Sequence, residues 1–100
     1  MEKTEILIVC THEEILNTIV RLINSNPSMN ATAANSLEQA ITVFTSASFN
    51  LLLVGSGLSP QEETDLVEKV SKSRSKIPVI FHYGGGSGLL FTEIYQALGK

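Results

Sequence analysis

Phe49-Asn50-Leu51-Leu52-Leu53-Val54-Gly55-Ser56-Gly57-Leu58 sets four large apolar residues directly against a Gly-Ser-Gly. An unbroken apolar run stopped by turn formers suits a strand buried on both faces, as in a parallel sheet flanked by helices. In open α/β sheets ligands gather outside the carboxyl ends of the strands. Gly55, Ser56 and Gly57 therefore mark the place where chemistry would be found, yet they bring neither a carboxylate nor a base.

Outward from this run, the same punctuation repeats. Downstream, Ser59-Pro60-Gln61-Glu62 opens a helix with a cap, a proline at the first helical position and an acidic first turn. Leu66, Val67 and Val70 give that helix a thin apolar face, as expected at the rim of a domain. Ile77 to Phe81 reads as a strand, with Pro78 tolerable near its start. After His82, Tyr83 and the glycine-rich run Gly84-Gly85-Gly86-Ser87-Gly88, the residues Leu90, Phe91, Ile94, Tyr95 and Leu98 recur at helical spacing, and Gly99 supplies a stop. Upstream, Ser36 to Gln39 has capping-box spacing ahead of Leu37, Ala40, Ile41, Phe44 and Ala47. Ile6 to Cys10 is a second apolar run. Thr11 to Glu14 again spaces a capping box, here before a helix with Ile15, Leu16, Ile19, Val20, Leu22 and Ile23 on its apolar face. Met29 to Ala34 alternates only weakly and is read as a strand because its flanks demand one.

The order is βαβαβαβα. Right-handed crossovers make such strands parallel, with helices on both faces. The expectation is an α/β, flavodoxin-like, three-layer αβα sandwich with a four-stranded parallel sheet in the order 2-1-3-4. The switch point then lies between strands 1 and 3. Cys10, Thr11 and His12 meet Gly55, Ser56 and Gly57 there, beside His82 and Tyr83, and these eight residues form the candidate ligand or partner face.

Composition narrows the classes. The chain has 100 residues, 43% hydrophobic and 17% charged, as in a single globular domain with a real core. A net charge of −3 and a pI near 5.2 argue against nucleic acid, which calls for a basic face. The basic residues that cluster, Lys69, Lys72, Arg74 and Lys76, match a helix C-terminus. One cysteine excludes an internal disulfide framework. No apolar run reaches transmembrane length, and the five apolar residues after Glu5 are too few for a signal peptide. A cytoplasmic protein with no membrane partner is expected.

Each candidate group also has a plainer role. Cys10 beside a helix start suits a nucleophile or redox sensor, or a small buried apolar residue, which free cysteine usually is. Cys10, His12 and His82 are metal-ligand types, but scattered singly they fall short of a closed tetrahedral set, and no metal or other cofactor is expected. Gly-Ser-Gly lacks the five-residue nucleophile elbow. The late glycine run does not complete a dinucleotide fingerprint. Glu13 and Glu14 favour the helix dipole.

Ile6 to Val9, Ser36-Leu37-Glu38-Gln39-Ala40, Asn50 to Val54 and Ile77-Pro78-Val79-Ile80 resemble response-regulator receiver domains over about residues 5 to 83. The resemblance implies a signalling domain, but the family's active positions do not carry over. Its acidic pair after strand 1 falls on Cys10 and Thr11, and its phosphoacceptor aspartate falls on Gly55. The hydroxyl residue after strand 4 falls near Tyr83, and the lysine of strand 5 has no counterpart. The implied protein is a truncated pseudo-receiver over residues 1–100, a protein-interaction module and not an enzyme. A second resemblance is to the lactose and cellobiose IIB components of sugar phosphotransferase systems, which carry a phosphorylatable cysteine where Cys10 stands. It implies a small phosphocarrier or thiol enzyme. Against it, Glu13 and Glu14 would repel a phosphate dianion. A binder of a small ligand at the glycine-rich strand ends is a third reading. Because the residues from Gly84 to Leu90 are too few for a helix plus a fifth strand, a homodimer is also expected, through the strand 4 edge or through Phe91, Ile94 and Tyr95.

Overall fold

The computed structural model describes residues 3–73, 77–82 and 87–99. Four strands, β1 (Thr4–Val9), β2 (Met29–Ala34), β3 (Leu51–Val54) and β4 (Val79–Phe81), alternate with four helices. The helices are α1 (Glu13–Asn24), α2 (Leu37–Ser46), α3 (Pro60–Lys72) and α4 (Ser87–Ala97). All strand pairs are parallel, in the order β2-β1-β3-β4. β1 and β3 are the inner strands, which is why their sequences are continuous apolar runs. Ile6, Leu7, Ile8, Val9 and Leu51, Leu52, Leu53, Val54 are all fully buried.

The alternation of side chains along these strands makes two cores. Ile6, Ile8, Leu51 and Leu53 pack against Leu16, Ile19 and Ile23 of α1 and Leu90 and Ile94 of α4. Leu7, Val9, Leu52 and Val54 pack against Ala40 of α2, Leu66 and Val70 of α3, and Phe49. Each fully buried Leu or Ile contributes about 1.5–3 kcal/mol, so the two inner strands dominate stability.

Local signals hold to different degrees. Around α3, Ser59 Oγ accepts from the Glu62 N–H at 3.2 Å and the Glu62 carboxylate accepts from the Ser59 N–H at 3.0 Å, a complete capping box. On α2, Ser36 Oγ accepts from the Gln39 N–H, but the Gln39 side chain accepts from Asn35 instead of closing the box. At α1 the expected Thr11–Glu14 box does not form: His12 is the N-cap, without a side-chain bond. Thr11 is drawn away because its N–H donates to the Ser56 carbonyl at 3.2 Å. Ile15, expected on the apolar face of α1, is 43% exposed. Ala47, expected in the buried stripe of α2, is exposed past the helix end. β2 spans the residues expected from its flanks.

The last helix packs on the α1 side of the sheet. Ile94, one of the three residues expected at a self-association face, is fully buried there within the chain's own core. Phe91 packs partly against the same core. Tyr95 is at the surface, where its hydroxyl accepts from Asn26 Nδ2 at 3.0 Å.

Candidate functional site

Register builds the site. Val9 pairs with Val54, and Val54 with Phe81. The next residue along each strand direction therefore forms a row, Cys10, Gly55 and His82, at the carboxyl ends of three strands. The row is held by backbone bonds: the Cys10 N–H donates to the Ala34 carbonyl at 3.0 Å, Gly55 to Val9 at 2.7 Å, and His82 to Val54 at 2.9 Å.

Cys10 is fully buried, and its thiol donates to the His12 carbonyl at 3.5 Å. Its side chain lies over Gly55. A Cβ at position 55 would sit 3.0 Å from Cys10 Cβ and 3.2 Å from Sγ, tight enough that Cys10 would have to give way by a few tenths of an ångström. One step out the same exchange recurs. Gly57 has φ +112°, and a Cβ there would land on the Thr11 hydroxyl. At both positions the β1 end supplies the side chain and the β3 end supplies only backbone. Between them, Ser56 Oγ is buried and has no hydrogen-bond partner among the described residues.

The histidines do not join this cluster. His12 is exposed at the start of α1. His82 is buried, and its Nδ1 lies 2.7 Å from Glu93 Oε1, tying the end of β4 to α4. Two strand spacings, about 10 Å, separate the backbones at Cys10 and His82. Among the described residues no three His, Cys, Asp or Glu side chains are grouped to hold a metal ion. Tyr83 lies outside the described residues. The structure thus brings Cys10 and Thr11 onto Gly55 and Gly57, and gives His82 a separate structural partner. Sequence spacing did not reveal Glu93 as that partner, because the two stand eleven positions apart, one at the end of β4 and one within α4.

No protein-family model matches the sequence. No curated protein matches it either. Solved structures do. A CheY-like receiver domain protein from Methanospirillum hungatei superposes with a TM-score of 0.86 at 18% identity, over 98% of this chain and 95% of that one. The chemotaxis protein CheY4 of Vibrio cholerae gives 0.85 at 10% identity, over 96% and 99%. The fold is receiver-like. The response regulator TrrA of Thermotoga maritima, solved in complex with Mg(2+)-BeF, shares this receiver-like fold with a TM-score of 0.77 at 11% identity, over 95% and 98%. At these identities the likeness speaks for architecture alone. Within the receiver-like frame, the ends of β1 and β3 carry Cys10, Thr11 and Gly55. No helix among the described residues is long and apolar enough to cross a membrane.

Proposed function

We propose that this chain is a receiver-like signalling module that works by protein contact and accepts no phosphoryl group at the end of β3. The observation that carries the reading is the Cys10–Gly55 exchange. A side chain at position 55 would have to push Cys10 aside, whose Cβ and Sγ stand 3.0 and 3.2 Å from where its Cβ would lie, and the glycine side chain offers no oxygen to phosphorylate. Magnesium takes carboxylate and water oxygens, and Cys10 and Thr11 supply no carboxylate at the end of β1. The TrrA structure with Mg(2+)-BeF is a contrasting case on the same fold. The reading makes the chain a cytoplasmic, non-enzymatic pseudo-receiver whose partner is a protein, with no nucleic acid or membrane involved. A homodimer belongs to the reading only through the accessible part of α4, with Phe91 and Tyr95 in contact, or through the β4 side of the sheet.

The phosphocarrier alternative needs Cys10 Sγ to reach a phosphoryl donor. Complete burial of the thiol counts against it.

Intact mass after incubation with acetyl phosphate and magnesium tests the proposal. The mass is expected to stay unchanged, and a stable phosphoryl adduct overturns it. A parallel arm with a phosphohistidine donor protein separates the alternative: an adduct that disappears in Cys10→Ser would install the thiol phosphocarrier in its place.

A further inference from the structure

The end of the molecule opposite the strand carboxyl termini carries a groove that the reading above does not use. It runs between α2 and α3 towards their C-terminal ends. A cleft of about 300 Å³ has Leu66 and Val70 as its buried floor and Ile41 and Phe44 as half-buried walls. It continues past Phe44 into a second hollow of about 370 Å³ lined by residues 44–49 and Ser73. Together they have the dimensions of a ligand site, shaped as an open trough.

The charge around this trough is unlike the rest of the chain. The protein carries a net −3, yet no Asp or Glu lines either hollow. Lys69 and Lys72 stand on its rim, both exposed, and neither has an ion-pair partner among the described residues. Stabilising the C-terminus of α3 explains why lysine is suitable there. It does not explain the apolar channel between the helices. The helix-end carbonyls, which would repel an anion, are partly engaged. Thr45 Oγ1 donates to the Thr42 carbonyl at 3.0 Å, Ser46 Oγ to Val43 at 3.1 Å, and Ser73 Oγ to Val70 at 2.7 Å. In the α2–α3 cleft a ligand meets mainly apolar carbons with the two ammonium groups at the rim, while the second hollow adds the hydroxyl residues Thr45, Ser46, Ser48 and Ser73.

We propose that this α2–α3 groove binds a short acidic peptide segment of a partner protein, seating an apolar side chain over Leu66 and Val70 while its carboxylates meet Lys69 and Lys72. An apolar anchor in a pocket with a charged rim is the usual division of labour in recognition: the anchor supplies affinity and the charges supply steering and register. The site is independent of the strand-end exchange, so either proposal can fail alone.

The probe is a fluorescein-labelled peptide with Leu and Phe anchors set among glutamates, followed by anisotropy against the full chain. Binding is expected, and Lys69→Glu with Lys72→Glu should weaken it about tenfold, since each reversal replaces an attraction with a repulsion. Thr45→Glu, an exposed change on the opposite wall that leaves both lysines in place, should weaken it by about threefold. Peptides with Ser for the anchors or Lys for the glutamates should bind at least about tenfold more weakly. Circular dichroism confirms that the surface variants fold. No binding, equal binding of the Lys peptide, or affinity indifferent to the lysine reversals overturns the proposal. So does capture by phosphatidylglycerol vesicles without peptide binding, which would make the lysines a lipid-facing patch.

Discussion

The junction of β1 with β3 and the flank formed by β4 with α4 end at the same edge of the sheet, yet they are held by different physics. At the junction every side chain from Ile6 to Cys10 and from Leu51 to Val54 is fully buried. The ends are closed by shape, with a side chain from one strand occupying the room of the glycine opposite. On the flank, Val79 and Ile80 are half-buried and Phe81 is 41% exposed. A polar pair, His82 with Glu93, joins strand to helix there. Where packing is complete, substitutions should fail by volume and backbone strain. Where it is partial, they should fail by the loss of single polar contacts, which are smaller.

The largest effect is expected at Gly57. Alanine there must hold φ +112° and displace the Thr11 side chain, a combined cost of about 2–3 kcal/mol. Urea denaturation of Gly57→Ala measures it. Adding Thr11→Gly should recover only part, because it removes the clash and leaves the φ. Complete recovery would show that backbone strain contributes nothing, and would reduce the junction to packing alone.

Gly55→Ala comes next, at about 1–2 kcal/mol, the cost of overpacking a filled site. Its backbone carries no positive φ, so the penalty should depend on Cys10. In a Cys10→Gly background it should shrink by about 1 kcal/mol, a coupling that distant sites do not show. A penalty equal in both backgrounds would mean that Cys10 does not own the space over Gly55. Position 55 would then have room for a side chain.

These two sites also show where sequence reading ends. The run Leu51 to Val54 followed by Gly-Ser-Gly made β3 a buried strand, and with Ile6 to Cys10 it placed the switch point, because burial on both faces leaves a one-dimensional signature. β2, with its Asn, Thr and Ala residues, was legible only from its neighbours. The exchange of side chain for glycine at Cys10–Gly55 was not legible, since it depends on register between segments forty-five residues apart. Thr11 misled for the same reason: its spacing to Glu14 suits a capping box, but a tertiary bond to Ser56 takes it instead. Ile94 was readable as apolar and helical. That it packs on the chain's own sheet follows from which face α4 covers.

On the flank, His82→Ala should cost about 1–2 kcal/mol, through the lost polar contact and the hole left by a buried ring. Glu93→Gln, which can still hydrogen-bond, should cost less, about 0.5 kcal/mol. Hydrogen exchange locates the damage. Amides of Leu90 to Ala97 should exchange faster in His82→Ala while those of Ile6 to Val9 keep their order of protection. A uniform loss across both regions would mean that the flank and the junction open together.

The smallest effect is expected at Tyr95, and it tests whether α4 has a second anchor. The hydroxyl accepts from Asn26 Nδ2 at 3.0 Å, linking the far end of α4 to the turn between α1 and β2. The bond is exposed, so water replaces it readily when the hydroxyl is removed. Tyr95→Phe should therefore lower stability by only about 0.5 kcal/mol, and its ring should keep the stacked contact with Phe91, whose centroid lies 6.4 Å away. Tyr95→Ala also loses that contact and the apolar area beneath it, for about 1 kcal/mol more. The difference between the two variants, read from urea midpoints with unchanged slopes, separates ring from hydroxyl. If Tyr95→Phe alone matched His82→Ala, the flank would hang on two comparable polar ties, both in the C-terminal half of α4, and its weakness relative to the junction would lie in β4 rather than in the helix.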